Sequence, residues 1–369
     1  MSDLYASIYN DYTEDTLILS TSRVADVSFS TQLPGGFAEG SLILPSMYFS
    51  PEEWRDKLLG RHLVITDEAG SRVYEGSIEG IDDGDSGLNL QASGYYAKAA
   101  LKTTYLAYPT TPINLISVLK DGTALVREWR SSPVVTLTSL VSDIPLEFLF
   151  ELKVQDMIEK IAKEFVTPEG YQPQFAVYDH LRPFVFENLT PWFKVSKYDM
   201  TLKYGSTVTL SGTYNKIQVL YEDGGLKYFT NWYEDIKSQQ RYGVREGSLQ
   251  AGQVPEGIAK VAGELALPRY KNPDEQPSLT INGMVRSYHT SVPTEAYWLR
   301  AGHMLFVADM PANPESRFSF RFDRDMAGFL VVRTSYSHRD RSLSVDVGDG
   351  VKTLEQYLAD MGITGGNVR

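Results

Sequence analysis

The chain has 369 residues, with 35 Lys plus Arg against 47 Asp plus Glu, a formal charge of −12. That acidity argues against sustained binding to a phosphate backbone, and the absence of cysteine excludes disulfide scaffolds, thiol catalysis and cysteine-ligated zinc. Apolar residues at 42 % and aromatic residues at 12 % supply packed cores, and at about 100–200 residues per domain the length reads as two to four domains.

The chain opens MSDLYASIYNDYTEDTL, with early acids and neither a basic n-region nor an apolar h-region, so no signal peptide is expected. No stretch approaches the roughly 18 apolar residues of a membrane span. Ser50-Pro51-Glu52-Glu53 ahead of Trp54 spells a capping box that starts a short helix. Strands follow at 63–66, 72–81 and 88–96, where Leu88, Leu90 and Ala92 alternate with Asn89, Gln91 and Ser93. The turns between them, 67–71 and 82–87, are rich in Asp, Gly and Ser, and the three strands read as an antiparallel meander.

Thr111-Pro112 is read as the start of a helix over 112–120, with Ile113, Ile116 and Leu119 apolar. The clearest helix is 153–165: Val154, Met157, Ile158, Ile161 and Phe165 form one stripe, with Gln155, Asp156, Glu159, Lys160 and Lys163 off it. A helix is expected over 255–267, stopping before Pro268 and burying Ile258, Val261, Ala262 and Leu265. A last helix is expected from Thr353, using Leu354, Tyr357, Leu358 and Met361.

An internal repeat joins the two ends of the chain. Residues 60–67, GRHLVITD, and 302–309, GHMLFVAD, both fit G-x-x-L-x-[IV]-x-D. Tyr74, Leu88 and Leu90 are then matched by Phe329, Leu343 and Val345, with an insertion near 311–325. A duplicated β unit near each end, with different material between, is a structural plan.

Catalytic signatures are few. Gly84-Asp85-Ser86-Gly87 matches the GDSG of chymotrypsin-like proteases, but the one upstream histidine, His62, lies in a predicted strand, and the segment reads as a turn. Asp82, Asp83 and Asp85 leave a weak surface calcium site open, without the EF-hand pattern, since position 93 is Ser rather than Glu. His62, His180, His289, His303 and His338 include no i, i+4 pair and no H-E-x-x-H, so no zinc enzyme is expected. No nucleotide-binding glycine loop is present. Glu234-Asp235 suits a glycosidase pair only at a separation that sequence does not give. Tyr95-Tyr96 and Trp232-Tyr233 read as core or interface aromatics, with sugar stacking the alternative. No catalytic, cofactor-binding or metal residue is assigned.

Several segments in order resemble the hub (minor tail) proteins at the tip of tailed bacteriophages. Leu33-Pro34-Gly35-Gly36-Phe37 running into Gly40-Ser41-Leu42-Ile43-Leu44-Pro45, and the meander Leu63 to Ala97, look like their first barrel. Leu181-Arg182-Pro183 and Thr213-Tyr214-Asn215-Lys216-Ile217-Gln218-Val219-Leu220-Tyr221-Glu222-Asp223 are similar to the approach to their second. Ser238-Gln239-Gln240-Arg241-Tyr242-Gly243-Val244-Arg245-Glu246 and Tyr297-Trp298-Leu299-Arg300-Ala301-Gly302-His303 extend the resemblance.

The resemblance implies a mainly β fold with minor α. Tube-like barrels at 1–103 and 206–348 would flank an α+β middle domain at 104–205, with a C-terminal helix and tail at 349–369. It implies no enzyme and no cofactor, but a homotrimeric ring that adapts a six-fold tube to a three-fold tip. Expected partners are a distal tail or tail-tube protein, the tape measure protein and a downstream fibre or spike. Genomic DNA would touch it only in transit, and it would reside in the virion after synthesis in the host cytoplasm. The alternatives are a distal tail ring or receptor-binding-protein carrier, a tail-associated glycosidase or lysin, and a secreted carbohydrate-binding protein.

Overall fold

The computed structural model describes residues 3–348 apart from 23, 25, 46–50, 85–86, 131–132, 138, 143–145, 149–151, 166–172, 199–200, 254, 311–319 and 324. The fold is mainly β with minor α, dominated by one 19-stranded sheet, with two two-stranded pairs and a separate four-stranded sheet. Among the described residues no helix is long and apolar enough to cross a membrane.

The expected meander is present as strands His62–Thr66, Arg72–Gly84 and Gly87–Ser93. Leu63, Ile65, Val73, Ile78, Leu88 and Leu90 turn inward and are buried. Each such side chain contributes about 1.5–3 kcal/mol relative to exposure. Gly87–Ser93 pairs with Gly35–Leu44, which pairs with Asp26–Gln32. On the other side, His62–Thr66 pairs with Tyr5–Tyr9.

The repeat motif opens a second meander of the same kind: His303–Ala308, Met326–Ser337 and Ser342–Val347. The two copies share fine detail. Gly60 and Gly302 both adopt positive φ, +75° and +97°, and both donate a 2.7 Å bond, to Ile78 O and Val331 O. Both middle strands then shift register, between Ile78 and Gly80 and between Val331 and Arg333. Next come Asp274–Asn282 and Leu202–Thr209, occupying the places of Gly35–Leu44 and Asp26–Gln32.

Leu88 and Leu90 do correspond to Leu343 and Val345, but the expected match of Tyr74 to Phe329 is two residues out. Leu63 stands opposite Gly76, and Leu305 opposite Phe329. The cause is turn length: two residues separate Gly84 from Gly87, whereas four separate Ser337 from Ser342.

The two meanders are fused. Residues 28–32 pair antiparallel with 333–337, so both halves share one sheet and one continuous core. The Thr31 and Thr334 hydroxyls bond across this seam at 2.6 Å, and Ala301 N–H donates to Thr31 Oγ1.

A second core lies between the halves in sequence. It packs Tyr95, Tyr96, Trp129 and Phe175 against two helices. The helix Val154–Glu164 buries the predicted stripe completely, and Asp156 accepts from the Lys153 N–H at its start. Tyr95 and Tyr96 lie in a 3₁₀ segment, Tyr95–Leu101, rather than at the end of a strand.

Two helix boundaries differ from expectation. The 112–120 helix is Leu115–Thr123, capped by Asn114, whose side chain accepts from the Ile116 N–H, while Ile113–Asn114 pairs as a short strand. A nearer Asx cap displaces the Thr-Pro start. The 255–267 helix continues through Pro268 to Tyr270. Pro268, which has no N–H to give the Glu264 carbonyl, and Glu264 itself both lie on the exposed face. That helix buries Ala259, Ala262 and Ala266, whereas Val261 is 40 % exposed.

This last helix packs on the four-stranded sheet, in which Lys216–Asp223 is flanked by Leu226–Phe229 and Glu246–Gln253. The strand Lys216–Asp223 therefore stands outside the large sheet. The helix Pro51–Leu58 begins at the expected proline; its expected cap Ser50, and the helix from Thr353, lie outside the described residues.

Candidate functional site

Among the described residues, linked ion pairs gather in a buried junction where both meanders and the middle region meet. Glu14 enters from the loop after Tyr5–Tyr9, held at φ 64°. Arg72 opens the middle strand of the first meander and carries Glu75 on its own side. The Arg72 guanidinium donates to Glu14 Oε2 at 2.7 Å and to Glu75 Oε2 at 2.5 Å. Glu75, 1 % exposed, also accepts the Leu181 N–H at 2.7 Å. Arg130 reaches across from the middle region to Tyr12 O and Thr13 O, and stands 3.8 Å from Glu14 Oε1.

The second meander joins through Arg300, which is 5 % exposed. Its Nη1 donates to both carboxylate oxygens of Asp179, and its Nη2 donates to Arg72 O. The rings of Phe37, Tyr178 and Trp298 surround it, with Cζ 4.9–5.3 Å from their centroids. Arg72 and Arg300, with side chains 10 % and 6 % exposed, thus tie five separate stretches of chain, and Arg130 adds a sixth.

Burial and pairing set the protonation states. Burial pushes the Glu75 carboxyl up to about 7, against the pull of Arg72. Burial pushes the Glu14 carboxyl up as well, but the hydrogen bond and charge of Arg72, with Arg130 adding to them, together outweigh that and lower it. Burial, with Arg72 adding to it, pushes His62 down to about 4. His303 falls to about 3, from burial and from Arg300, and its Nδ1 accepts the Arg300 N–H.

Sequence spacing missed one grouping. His62 Nε2, a Glu14 oxygen and a Glu75 oxygen lie within 4.8 Å of one another, from positions far apart in the chain. The donor types suit a divalent cation, but Arg72 already binds both carboxylates, and Arg130 stands against Glu14. Two cations balance two anions, so a third positive group there meets repulsion. His62 instead packs as a neutral ring, with Nδ1 2.9 Å from the Tyr95 hydroxyl and Nε2 3.6 Å from Glu14 Oε1.

The other sequence candidates fall elsewhere. Gly84 and Gly87 close a hairpin, and Asp82 accepts from Gln91 Nε2; Asp85 and Ser86 lie outside the described residues. Glu234 ends a short exposed strand, and Asp235 caps the helix Ile236–Tyr242 while pairing with Lys271. Trp232 lies under the Lys216 ammonium.

These assignments carry a pH signature. A buried neutral histidine has a lowered value, so its contribution is complete above about 6.5 and is lost as pH falls through the folded value. The stability gap between wild type and His62→Gln should therefore narrow as pH is lowered from 6.5 towards 4. Glu75 has the opposite sign: its contribution is complete below about 4.5 and lost as pH rises through 7. The gap between wild type and Glu75→Gln should narrow over that rise. Urea unfolding from pH 4.5 to 8 reads both, and parallel curves would contradict the assignments.

Across the seam, the solvent face of five strands forms a concave groove of about 540 Å³. Ser28, Glu39, Ser41, Asn89, Gln91 and Arg333 are among its lining residues, so short hydroxyl and amide groups dominate over charge.

No protein-family model and no curated protein matches the sequence. Solved structures match the fold over nearly the whole chain. The prophage MuSo2 43 kDa tail protein from Shewanella oneidensis is similar with a TM-score of 0.61 at 10 % identity, over 96 % of this chain and 99 % of that one. The tail protein from Neisseria meningitidis MC58 gives 0.57 at 11 % identity, over 96 % and 98 %. The prophage tail protein gp18 from Listeria monocytogenes EGD-e gives 0.51 at 9 % identity, over 98 % and 100 %. The chain has the fold of these tail proteins from end to end.

Proposed function

We propose that this protein is a structural, non-enzymatic component of a phage tail: a hub ring at the tip that continues the tail tube and forms part of the DNA exit channel. The observation that carries the reading is the end-to-end fold likeness to three tail proteins, with at least 96 % of each chain covered.

The internal repeat supplies the mechanism. A ring closes when its contacts repeat with matched symmetry. Three chains, each with two similar meanders joined edge to edge, present six similar units to a six-fold tube. The unrepeated parts keep three-fold symmetry for a fibre or spike. Partners are then two further copies, a distal tail or tail-tube protein above, the tape measure protein, and the fibre or spike below. The site of action is the virion tail tip.

The groove fits a conducting wall. Hydroxyl and amide groups on a chain of net charge −12 give phosphate little to hold, so DNA passes without retention. Negative-stain class averages of the purified chain, alone and with a tail-tube protein, test the reading. Rings with a central hole and three-fold or quasi-six-fold averages are expected. Six-chain rings would favour a distal tail ring, and the absence of rings in both samples would contradict the proposal.

A further inference from the structure

Beside the second meander two cations face each other without an acid between them. Lys194, in strand Leu189–Ser196, stands directly opposite Arg286, in strand Met284–Ser287. Directly opposed residues of an antiparallel pair share one face of the sheet, and like charges placed there repel. Both heads turn to the same residue: Lys194 Nζ donates to Ser291 Oγ at 2.8 Å, and Arg286 Nη1 to Ser291 O at 3.4 Å. The ion pairs formed among the described residues include neither of them. A chain with 47 acids against 35 bases has ample carboxylate to neutralise such a pair. Leaving it unneutralised breaks a local rule of strand pairing, and such breaks gather at functional positions.

The ladder between the two strands ends at that pair. Past it each strand stays bonded on its far side, to His303–Ala308 and to Pro293–Glu295, while Val195–Ser196 and Met284–Val285 part from one another. The gap is a slot of about 250 Å³, its wall completed by Ala308 and Met326, with Lys194 and Arg286 at one end. Met284 is 43 % exposed and extends the apolar surface outward.

Three observations select the kind of occupant. The slot is smaller than the roughly 300–1,000 Å³ of small-molecule pockets, so it suits one apolar side chain rather than a cofactor. Two cations are fewer than the roughly 4–8 that hold an anionic lipid surface. Arg, Met, Trp and Tyr are enriched at protein interfaces, and all four gather here. Trp192, Tyr288 and Phe306 form one cluster with ring centroids 4.8–6.2 Å apart, and the Lys194 ammonium lies 5.9 Å from the Tyr288 centroid.

We infer that this slot docks an acidic-apolar segment of another tail protein, with a carboxylate held between Lys194 and Arg286 and the neighbouring apolar side chain in the slot. Charge complementarity fixes the occupant. A carboxylate relieves the repulsion between the opposed cations and accepts charge-assisted hydrogen bonds from both. Its apolar neighbour leaves water on the slot wall. That the segment belongs to a tail protein rests on the reading above; the chemistry of the slot stands apart from it.

Fluorescein-labelled hexapeptides of alternating Asp and Leu test the recognition by fluorescence anisotropy. They should bind at least about tenfold tighter than matched peptides with Asn for Asp or Ser for Leu, since each change removes a charge-assisted bond or a buried side chain. The double variant Lys194→Gln/Arg286→Gln should lose the preference for Asp, and Met284→Ser the preference for Leu. The double variant should also unfold at a higher urea concentration than the wild type, because the opposed repulsion is gone. A merely structural role for the two cations would move that midpoint down.

Equal binding of the Asp and Asn peptides, or a preference that survives in the double variant, overturns the inference. Binding to vesicles of phosphatidylserine and phosphatidylcholine without any peptide preference also overturns it, since that names a lipid surface. So does loss of the peptide preference once the chain assembles with itself, since a second copy then fills the slot. Rings that form from a chain with no peptide preference overturn this inference alone. A chain that prefers the Asp–Leu peptide yet stays single with a tail-tube protein overturns the ring reading alone.

Discussion

Arg72→Met is expected to lower the unfolding free energy by about 3–5 kcal/mol at pH 8, the range for breaking a buried ion pair by removing one partner. The loss arises because two carboxylates are stranded at once. Glu75 has 1 % of its side chain exposed and Glu14 18 %. Neither has another cation at hydrogen-bond distance among the described residues, since Arg130 stands 3.8 Å from Glu14.

The cost should shrink towards pH 5, because Glu75, already raised to about 7 by burial, then takes up a proton. The double variant Arg72→Met/Glu75→Gln should be more stable than Arg72→Met alone, since the amide removes the stranded charge. Urea denaturation of the four chains gives the coupling directly. A loss below about 1 kcal/mol, or one independent of pH, would mean that the junction is a solvated surface pair.

Gly36→Ala should cost about 2–5 kcal/mol, combining left-handed strain with forced overpacking. Gly36 sits at φ +91°, where the Gly35–Leu44 strand runs parallel to Gln174–Tyr178 and faces Val177. A Cβ built there collides with the Val177 backbone itself, which has no rotamer to change. Relief requires separating the first meander from the middle region. Gly60→Ala is the matched control: it too has positive φ, +75°, but open space for a methyl group, and should cost only about 1–2 kcal/mol. Thermal unfolding separates the two, and equal losses would show that backbone conformation alone, not the close approach, sets the requirement.

The parts of this architecture legible in the sequence were those written locally. Alternation at Leu88, Leu90 and Ala92 marked a strand with one buried face, and the stripe from Val154 to Phe165 marked a helix with one buried face. The repeat was legible because Gly60 and Gly302 are needed for positive φ at equivalent bends. Its register was not, because a hairpin turn two residues longer moves the match from Tyr74 to Gly76 without disturbing the apolar pattern.

The ionic junction was hidden for a different reason. Glu14, Arg72, Arg130 and Arg300 are surface-type residues by composition. Only the convergence of distant strands takes them out of water and gives each a partner. The Asn114 cap and the continuation through Pro268 were close decisions between local signals, settled by a nearer side-chain acceptor in one case and by the exposed position of the proline in the other.

The ring itself is tested most directly by the absolute mass of the purified protein from light scattering coupled to size exclusion, measured over a hundredfold range of concentration. The account predicts a species of about 124 kDa, three chains of 41.4 kDa, alone or on addition of a tail-tube protein. A mass that stays at one chain under both conditions would contradict it.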